Sequence, residues 1–397
     1  ILGEAMQKRR TRKGKNNKGF PSESILAVGF GICILGLAAI NLFWSDHEMS
    51  EQENRMLASK PKLSVSSVLS GDYMEKYESY LADQFAGRDF LRNIKVTLGR
   101  FGGNKDENGV LLGKQGQLLE EIEVPDQTTL KANLTAIRQF AEQNDEIPTY
   151  MMLVPDAAAV LDDTLPSLAV VSDQSRMIAQ VKRELGDSVT WIDAESVLNK
   201  HAGEKIYYKT DPHWTSLGAF YVFQAVAETL KIDGEAGSNF VSYPISKTFN
   251  GTLASASGFR LNEREVIDMY VPKEEDGGLV VNYVEEQEKT ASLYDSSKLK
   301  TRDQYGVFLG GNTSLIDIKT VSESQRRLLL VKDSFANSFV PFLTPYFREI
   351  VVVDPRYYSG TIEDLMNAYR ITDTMFLYSG NSFFQDNNIS GVLDSEQ

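Results

Sequence analysis

Two short stretches, far apart in the chain, together hold the three side chains that acyl transfer needs. In Tyr207-Tyr-Lys-Thr-Asp-Pro-His-Trp-Thr215, Asp211 and His213 stand two residues apart, and in Leu328-Leu-Leu-Val-Lys-Asp-Ser-Phe335, Ser334 follows an apolar run. A serine hydroxyl becomes a nucleophile when a histidine takes its proton and a carboxylate fixes that histidine's tautomer; the chain order of the three is free. The scarcity of histidine narrows the choice of base. Of the three in the chain, His47 lies just past an apolar segment, and His201 follows Lys200 at the end of a helix-like segment, where it suits the helix terminus. His213 is therefore the candidate base, with Asp211 as its orienting acid and Ser334 as the nucleophile.

Both stretches also have a plainer reading. Asp333 or Ser334 would serve as the N-cap of a helix starting near Phe335, and Asp-Pro ahead of Thr215 and Ser216 is an ordinary helix start with His213 packed or exposed beside it. The flanking pattern decides which elements carry these residues. Tyr150–Val154, Val189–Ile192, Arg327–Val331, Ile350–Val353 and Met375–Tyr378 are short apolar runs of the kind that a parallel sheet buries on both faces. Between them, Leu130, Leu134, Ile137 and Phe140 form one stripe at helical spacing, and Leu217, Phe220, Phe223 or Val226, and Leu230 another. This alternation predicts an α/β fold, a layered parallel sheet flanked by helices. Ser334 then sits at a strand's C-terminal end, where open α/β sheets place their sites, and the N–H groups of the helix start are placed to stabilise an oxyanion. Residues 232–307, rich in Gly, Ser, Asp and Glu, are expected to form an irregular, strand-bearing insertion.

Composition excludes several classes of function. The 397 residues, 42% hydrophobic, suffice for a full core. Seven basic residues, Lys8 to Lys18, face only Glu4 and Glu23 before residue 25; removing that +5 from the net −14 leaves −19 on the remainder, which argues against a nucleic-acid partner. Cys33 is the sole cysteine, so no disulfide forms within the chain. No His, Cys and carboxylate cluster has ligand spacing, so no metal is expected, and nothing calls for a cofactor. Ile25–Trp44 is apolar except for Asn41 and long enough to cross a bilayer. The basic block before it predicts a cytoplasmic N-terminus and an extracytoplasmic remainder. A cleaved signal peptide is the rival reading. Gly36-Leu-Ala38 has the small-x-small pattern, but cleavage there would cut inside the apolar run, which favours an uncleaved anchor. The sequence opens on Ile1 rather than Met, so a start upstream of it is expected. The expected organisation is a basic tail at 1–24, a transmembrane anchor at 25–44, a helical juxtamembrane stalk at 45–110 and an α/β domain at 111–397. Within the stalk, Tyr73, Tyr77, Tyr80, Leu81, Phe85, Phe90, Leu91 and Ile94 are spaced as on helices, and Gly102-Gly103 marks a break.

Tyr208-Lys-Thr-Asp-Pro-His-Trp-Thr-Ser-Leu-Gly-Ala219 resembles the signature of the DHHW family of Gram-positive envelope proteins, relatives of the alginate O-acetyltransferases with SGNH-hydrolase-like domains. Glu53-Asn-Arg-Met-Leu57, Ala82-Asp-Gln-Phe-Ala-Gly-Arg88, Leu153-Val-Pro155 with Leu165-Pro166, Phe249-Asn-Gly-Thr252, Phe308-Leu-Gly-Gly-Asn312 and Lys332-Asp-Ser-Phe-Ala-Asn337 resemble family landmarks in the family's order. The resemblance implies an SGNH-like fold with Ser334 as nucleophile, His213 as base and Asp211 as orienting acid. The first histidine of the family's name is Pro212 here; the related acetyltransferases need only Asp-x-His-Trp, so the change falls on a variable position. Three further residues become candidates. Asn312, ending a glycine turn, and Asn337 would join an oxyanion hole, although Asn337 would equally suit a solvent-facing position. Trp214 would pack under His213, offer an aromatic face to a sugar, or belong to the core. The implied partners are a cell-wall or exopolysaccharide glycan as acceptor and a multispanning membrane acyltransferase as donor. Transfer and hydrolysis would use the same residues, depending on whether a sugar hydroxyl or water reaches the acyl-enzyme. The alternative is a non-catalytic glycan-binding or assembly protein that keeps the fold without turnover.

Overall fold

Side chains alternate across a strand, so a strand covered on both faces must be apolar at every position, and the central runs of this chain are. The structure, a computed structural model, describes residues 22–50, 55–232, 236–259, 261, 264–273 and 278–394. The basic stretch Lys8–Lys18 lies outside the described residues, as do Glu53 and Asn54 of one landmark.

Backbone packing divides the chain into two compact units, residues 1–50 with 56–91 and residues 51–55 with 92–397. In the first, helix Ser22–Phe43 has 22 residues, about 33 Å at the α-helical rise. Among the described residues it is the one helix long and apolar enough to cross a membrane, and a signal sequence near the N-terminus would share these properties. Helices Val65–Ser70 and Asp72–Asp83 follow, separated by Gly71 in the left-handed region at φ 88°. Neither helix buries a residue.

The second unit is built on an eight-stranded sheet. Its strands are β1 (Thr149–Val154), β2 (Thr190–Ile192), β3 (Val280–Tyr283), β4 (Glu288–Thr290), β5 (Leu315–Lys319), β6 (Arg327–Lys332), β7 (Glu349–Val353) and β8 (Asp373–Ser379). Their spatial order is β4-β3-β5-β7-β6-β8-β1-β2. The five strands from β7 to β2 are parallel, with Leu329 of β6 opposite Val351 on one side and Thr374 on the other. Strands β5, β3 and β4 extend this part antiparallel. On one face Leu329, Val331, Val351 and Phe376 pack with Leu134 and Ile137 of helix Gln127–Gln143 and Val181 of helix Gln174–Leu185. On the other, Leu328, Leu330, Val352 and Leu377 pack with Phe223 of helix Ser216–Val226, Phe339 and Phe342. The span 232–307 supplies β3 and β4, the paired strands Phe240–Phe249 and Glu265–Pro272, and the short helix Thr252–Ser257.

Candidate active site

Ser334 opens the turn that follows β6. Asp333, completely buried, caps that 3-10 turn, Ser334–Ser338: its Oδ1 accepts from Phe335 N at 2.9 Å and its Oδ2 from Ser379 N at 2.9 Å. The cap therefore ties the turn to the end of β8, and Ser334 is left half-buried with its hydroxyl outside the capping pattern.

His213 lies on a strap closed on itself. Tyr207 and Trp214 form an antiparallel bridge, and Tyr208 N donates to His213 O at 3.2 Å. Thr215 then caps helix Ser216–Val226 by accepting from Gly218 N at 3.2 Å. Gly218 is required there, because a Cβ would lie 2.5 Å from Ile206 O. The plainer readings of both stretches thus describe Asp333 and Thr215, the neighbours of the candidate residues Ser334 and His213.

The three side chains meet in a continuous line. His213 Nε2 is 2.8 Å from Ser334 Oγ, and His213 Nδ1 is 2.5 Å from Asp211 Oδ1. Burial by itself would push the Asp211 carboxyl up, but the His213 charge and hydrogen bond and the backbone N–H groups of Thr252 and His213 hold it below the ordinary aspartate value. An ionised carboxylate only accepts, so Nδ1 carries a ring proton, and in the neutral ring Nε2 presents its lone pair to the Ser334 hydroxyl.

Residues that the motifs did not single out hold this line in place. Asp211 Oδ2 accepts from Thr252 N at 3.0 Å and Thr252 Oγ1 at 3.1 Å. Gly251 makes that approach possible, since a Cβ there would stand 2.3 Å from Asp211 Cβ. Glu265 accepts from Lys209 N at 2.7 Å and Thr210 N at 2.8 Å, fixing the backbone that leads into Asp211. Tyr305 stacks on the imidazole with ring centroids 3.8 Å apart and planes 11° from parallel. Gly251 and Thr252 lie in a landmark and Tyr305 three residues before another, which is the signal that the sequence offers for them.

The three secondary candidates fall elsewhere. Trp214 is fully buried, donates from Nε1 to Phe335 O at 2.9 Å and stacks on Phe339, so it belongs to the core, has no face for a sugar, and leaves the place beside the base to Tyr305. Asn337 is also buried rather than solvent-facing. Its two N–H bonds go to Gly311 O at 3.3 Å and Asn312 Oδ1 at 3.2 Å, so neither is free for an oxyanion. Asn312 is exposed, and its Oδ1 also accepts from Lys332 Nζ at 3.2 Å, which turns its Nδ2 away from both donors. Lys332 is buried 3.5 Å from Asp354, itself held by Arg356. Burial pulls the Lys332 ammonium below the usual lysine range, against the opposing charge of Asp354.

A family model described as DHHW protein matches residues 135–353, more than half of the chain. The chain belongs to the DHHW family. Among solved structures, this DHHW protein is similar to a DHHW family protein from Eubacterium siraeum, at 24% identity and TM-score 0.61 over 72% of this chain and 95% of that one. It is similar to PatB1 from Bacillus cereus, solved with a sulfonyl adduct, at 21% identity and TM-score 0.59 over 70% of this chain and 97% of that one. The O-acetyltransferase domain of AlgJ from Pseudomonas putida aligns at 16% identity and TM-score 0.47, over 71% of this chain and 95% of that one. No curated protein matches the sequence. At these identities the likeness to the first two is one of fold, and it agrees with the expected α/β fold, a layered parallel sheet flanked by helices.

Proposed function

We propose that this DHHW protein is a membrane-anchored serine acyltransferase or esterase that O-acetylates a glycan of the cell envelope. The observation that supports this most is the line Asp211–His213–Ser334, with contacts of 2.5 and 2.8 Å. His213 Nε2 takes the Ser334 proton as Oγ attacks the donor's acyl carbonyl, and Asp211 stabilises the imidazolium that forms. The tetrahedral intermediate collapses to acyl-Ser334, and the proton on Nε2 passes to the leaving group. His213 then takes the proton of an acceptor hydroxyl, which attacks the ester and releases Ser334. A sugar hydroxyl gives transfer and water gives hydrolysis. For the oxyanion we assign the Asn312 amide and the Ser334 N–H, because the Phe335 N–H and the Asn337 amide are already committed.

Helix Ser22–Phe43 would anchor the protein with residues 1–24 in the cytoplasm and 45–397 outside, residues 45–110 being the stalk and 111–397 the acyl-transfer domain. In this arrangement a multispanning membrane acyltransferase supplies the acyl group. The direct test is mass spectrometry of the purified protein after p-nitrophenyl acetate or a sulfonyl fluoride, a probe suggested by the adduct on PatB1. One acyl or sulfonyl group on the Ser334 peptide, absent from Ser334→Ala and His213→Ala, is expected. Equal labelling of all three proteins, or none, would overturn the proposal.

A further inference from the structure

A hydrogen bond at each ring nitrogen fixes the line from Asp211 to Ser334 but leaves the imidazole free to rock about that line. Out-of-plane rocking misaligns the Nε2 lone pair, and catalytic geometry tolerates only about 10–20° of error. The stacked ring of Tyr305, 3.8 Å away and 11° from parallel, lies where it blocks that motion. Phe335 approaches the same imidazole at 4.9 Å and 43°. Tyr305 is itself braced, with Phe308 at 5.1 Å and Tyr208 at 6.4 Å, and it is buried.

The other end of Tyr305 reaches the nucleophile. Its hydroxyl lies 3.1 Å from Ser338 Oγ and 3.3 Å from Ser334 O, the two ends of the turn that carries Ser334. Burial pushes this phenol well above its ordinary value, so it stays protonated as a donor. One side chain thus touches the base with its ring and the nucleophile's turn with its hydroxyl. We propose that Tyr305 is a positioning residue that sets the angle and separation of His213 and Ser334. The inference rests on the acyl-transfer reading above. The face of a tyrosine ring also attracts the positive charge that His213 gains on taking the serine proton.

The test compares the full chain in detergent with Tyr305→Phe, which keeps the ring, and Tyr305→Leu, which removes it. In histidine-selective NMR the ring current of Tyr305 should displace the His213 C–H signals, assigned by their loss in His213→Ala. The displacement should persist in the phenylalanine variant and vanish in the leucine variant. His201, stacked on Tyr221 at 3.8 Å, supplies an internal control for folding. For p-nitrophenyl acetate, the leucine variant should lose about 100-fold in kcat at unchanged KM, the scale of a roughly 1 Å misplacement, and the phenylalanine variant should recover most of it. An active wild type with a folded leucine variant of equal kcat would overturn the role of Tyr305 alone. A wild type that turns over no ester would instead overturn the acyl-transfer reading on which that role rests.

Discussion

On the base side of Ser334, each oxygen of Asp211 has its donors, His213 and Thr252, and the imidazole lies flat against Tyr305. On the other side, Lys332, Asp354 and Asn337 are buried together, and Asn337 Oδ1 has no partner among the described residues. On the first side the polar side-chain atoms of Asp211 and His213 are all matched, although the buried Tyr208 hydroxyl nearby has no partner among the described residues. The second concentrates buried charge and leaves one buried oxygen unmatched, an arrangement that costs stability. Under the acyl-transfer proposal, the first side would handle the proton and the second would stabilise charge.

The comparison breaks most visibly on the matched side. Asp211→Asn keeps the shape but lets the ring adopt the wrong tautomer, so kcat for p-nitrophenyl acetate should fall about 10⁴-fold. A loss below about tenfold would show that Asp211 only caps the loop. Gly251→Ala should come next, since its methyl group would collide with Asp211. A misplacement of that kind predicts about a 100-fold loss in kcat. Unchanged kcat would mean that the loop yields without moving the acid.

The matched side was also the more legible in the sequence. Asp211 and His213 lie two residues apart, and Ser334 comes soon after residues 328–331, which are all apolar because β6 is covered on both faces. Strand β5 escaped notice because Asp317 and Lys319 interrupt its apolar residues, as suits a strand nearer the sheet edge. Tyr305 and Thr252 were hidden for a different reason: their contacts with His213 and Asp211 join segments that only the tertiary fold brings together. Trp214 shows the converse, where adjacency to His213 suggested a sugar contact but the ring is buried in the core and bonded to Phe335 O.

Asn312 and Lys332 sharpen the unmatched side. If the Asn312 amide stabilises the oxyanion, Asn312→Ala should lower kcat about 100-fold. Lys332→Met tests whether a buried cation is needed behind that amide. Asp354 keeps Arg356, at 2.6 and 2.8 Å, so the substitution leaves no carboxylate unpaired and stability should be unchanged or higher. Loss of the charged hydrogen bond to Asn312 should lower kcat about tenfold. A destabilised but fully active Lys332→Met would show that this cluster is structural.

The smallest effect on kcat is expected at Asp156, just past β1, where the readout is stability. Its Oδ2 accepts from Gln174 Nε2 at 2.6 Å and Asn381 N at 2.8 Å, whereas its buried Oδ1 has no partner among the described residues. Both donors meet Oδ2, so in the protonated carboxyl the proton sits on Oδ1. Burial, followed by repulsion from Glu120, pushes this carboxyl up to about 8. Its folded value lies above its unfolded one, so the native state binds the extra proton between roughly pH 4 and 8 and stability falls as pH rises through that window. Asp156→Asn is neutral throughout. It should match the wild type near pH 4 and gain on it as pH rises, exceeding its Tm by roughly 10 °C near pH 9. Thermal unfolding of both proteins across that range checks this, and parallel pH curves would show that Asp156 is already ionised in the native fold.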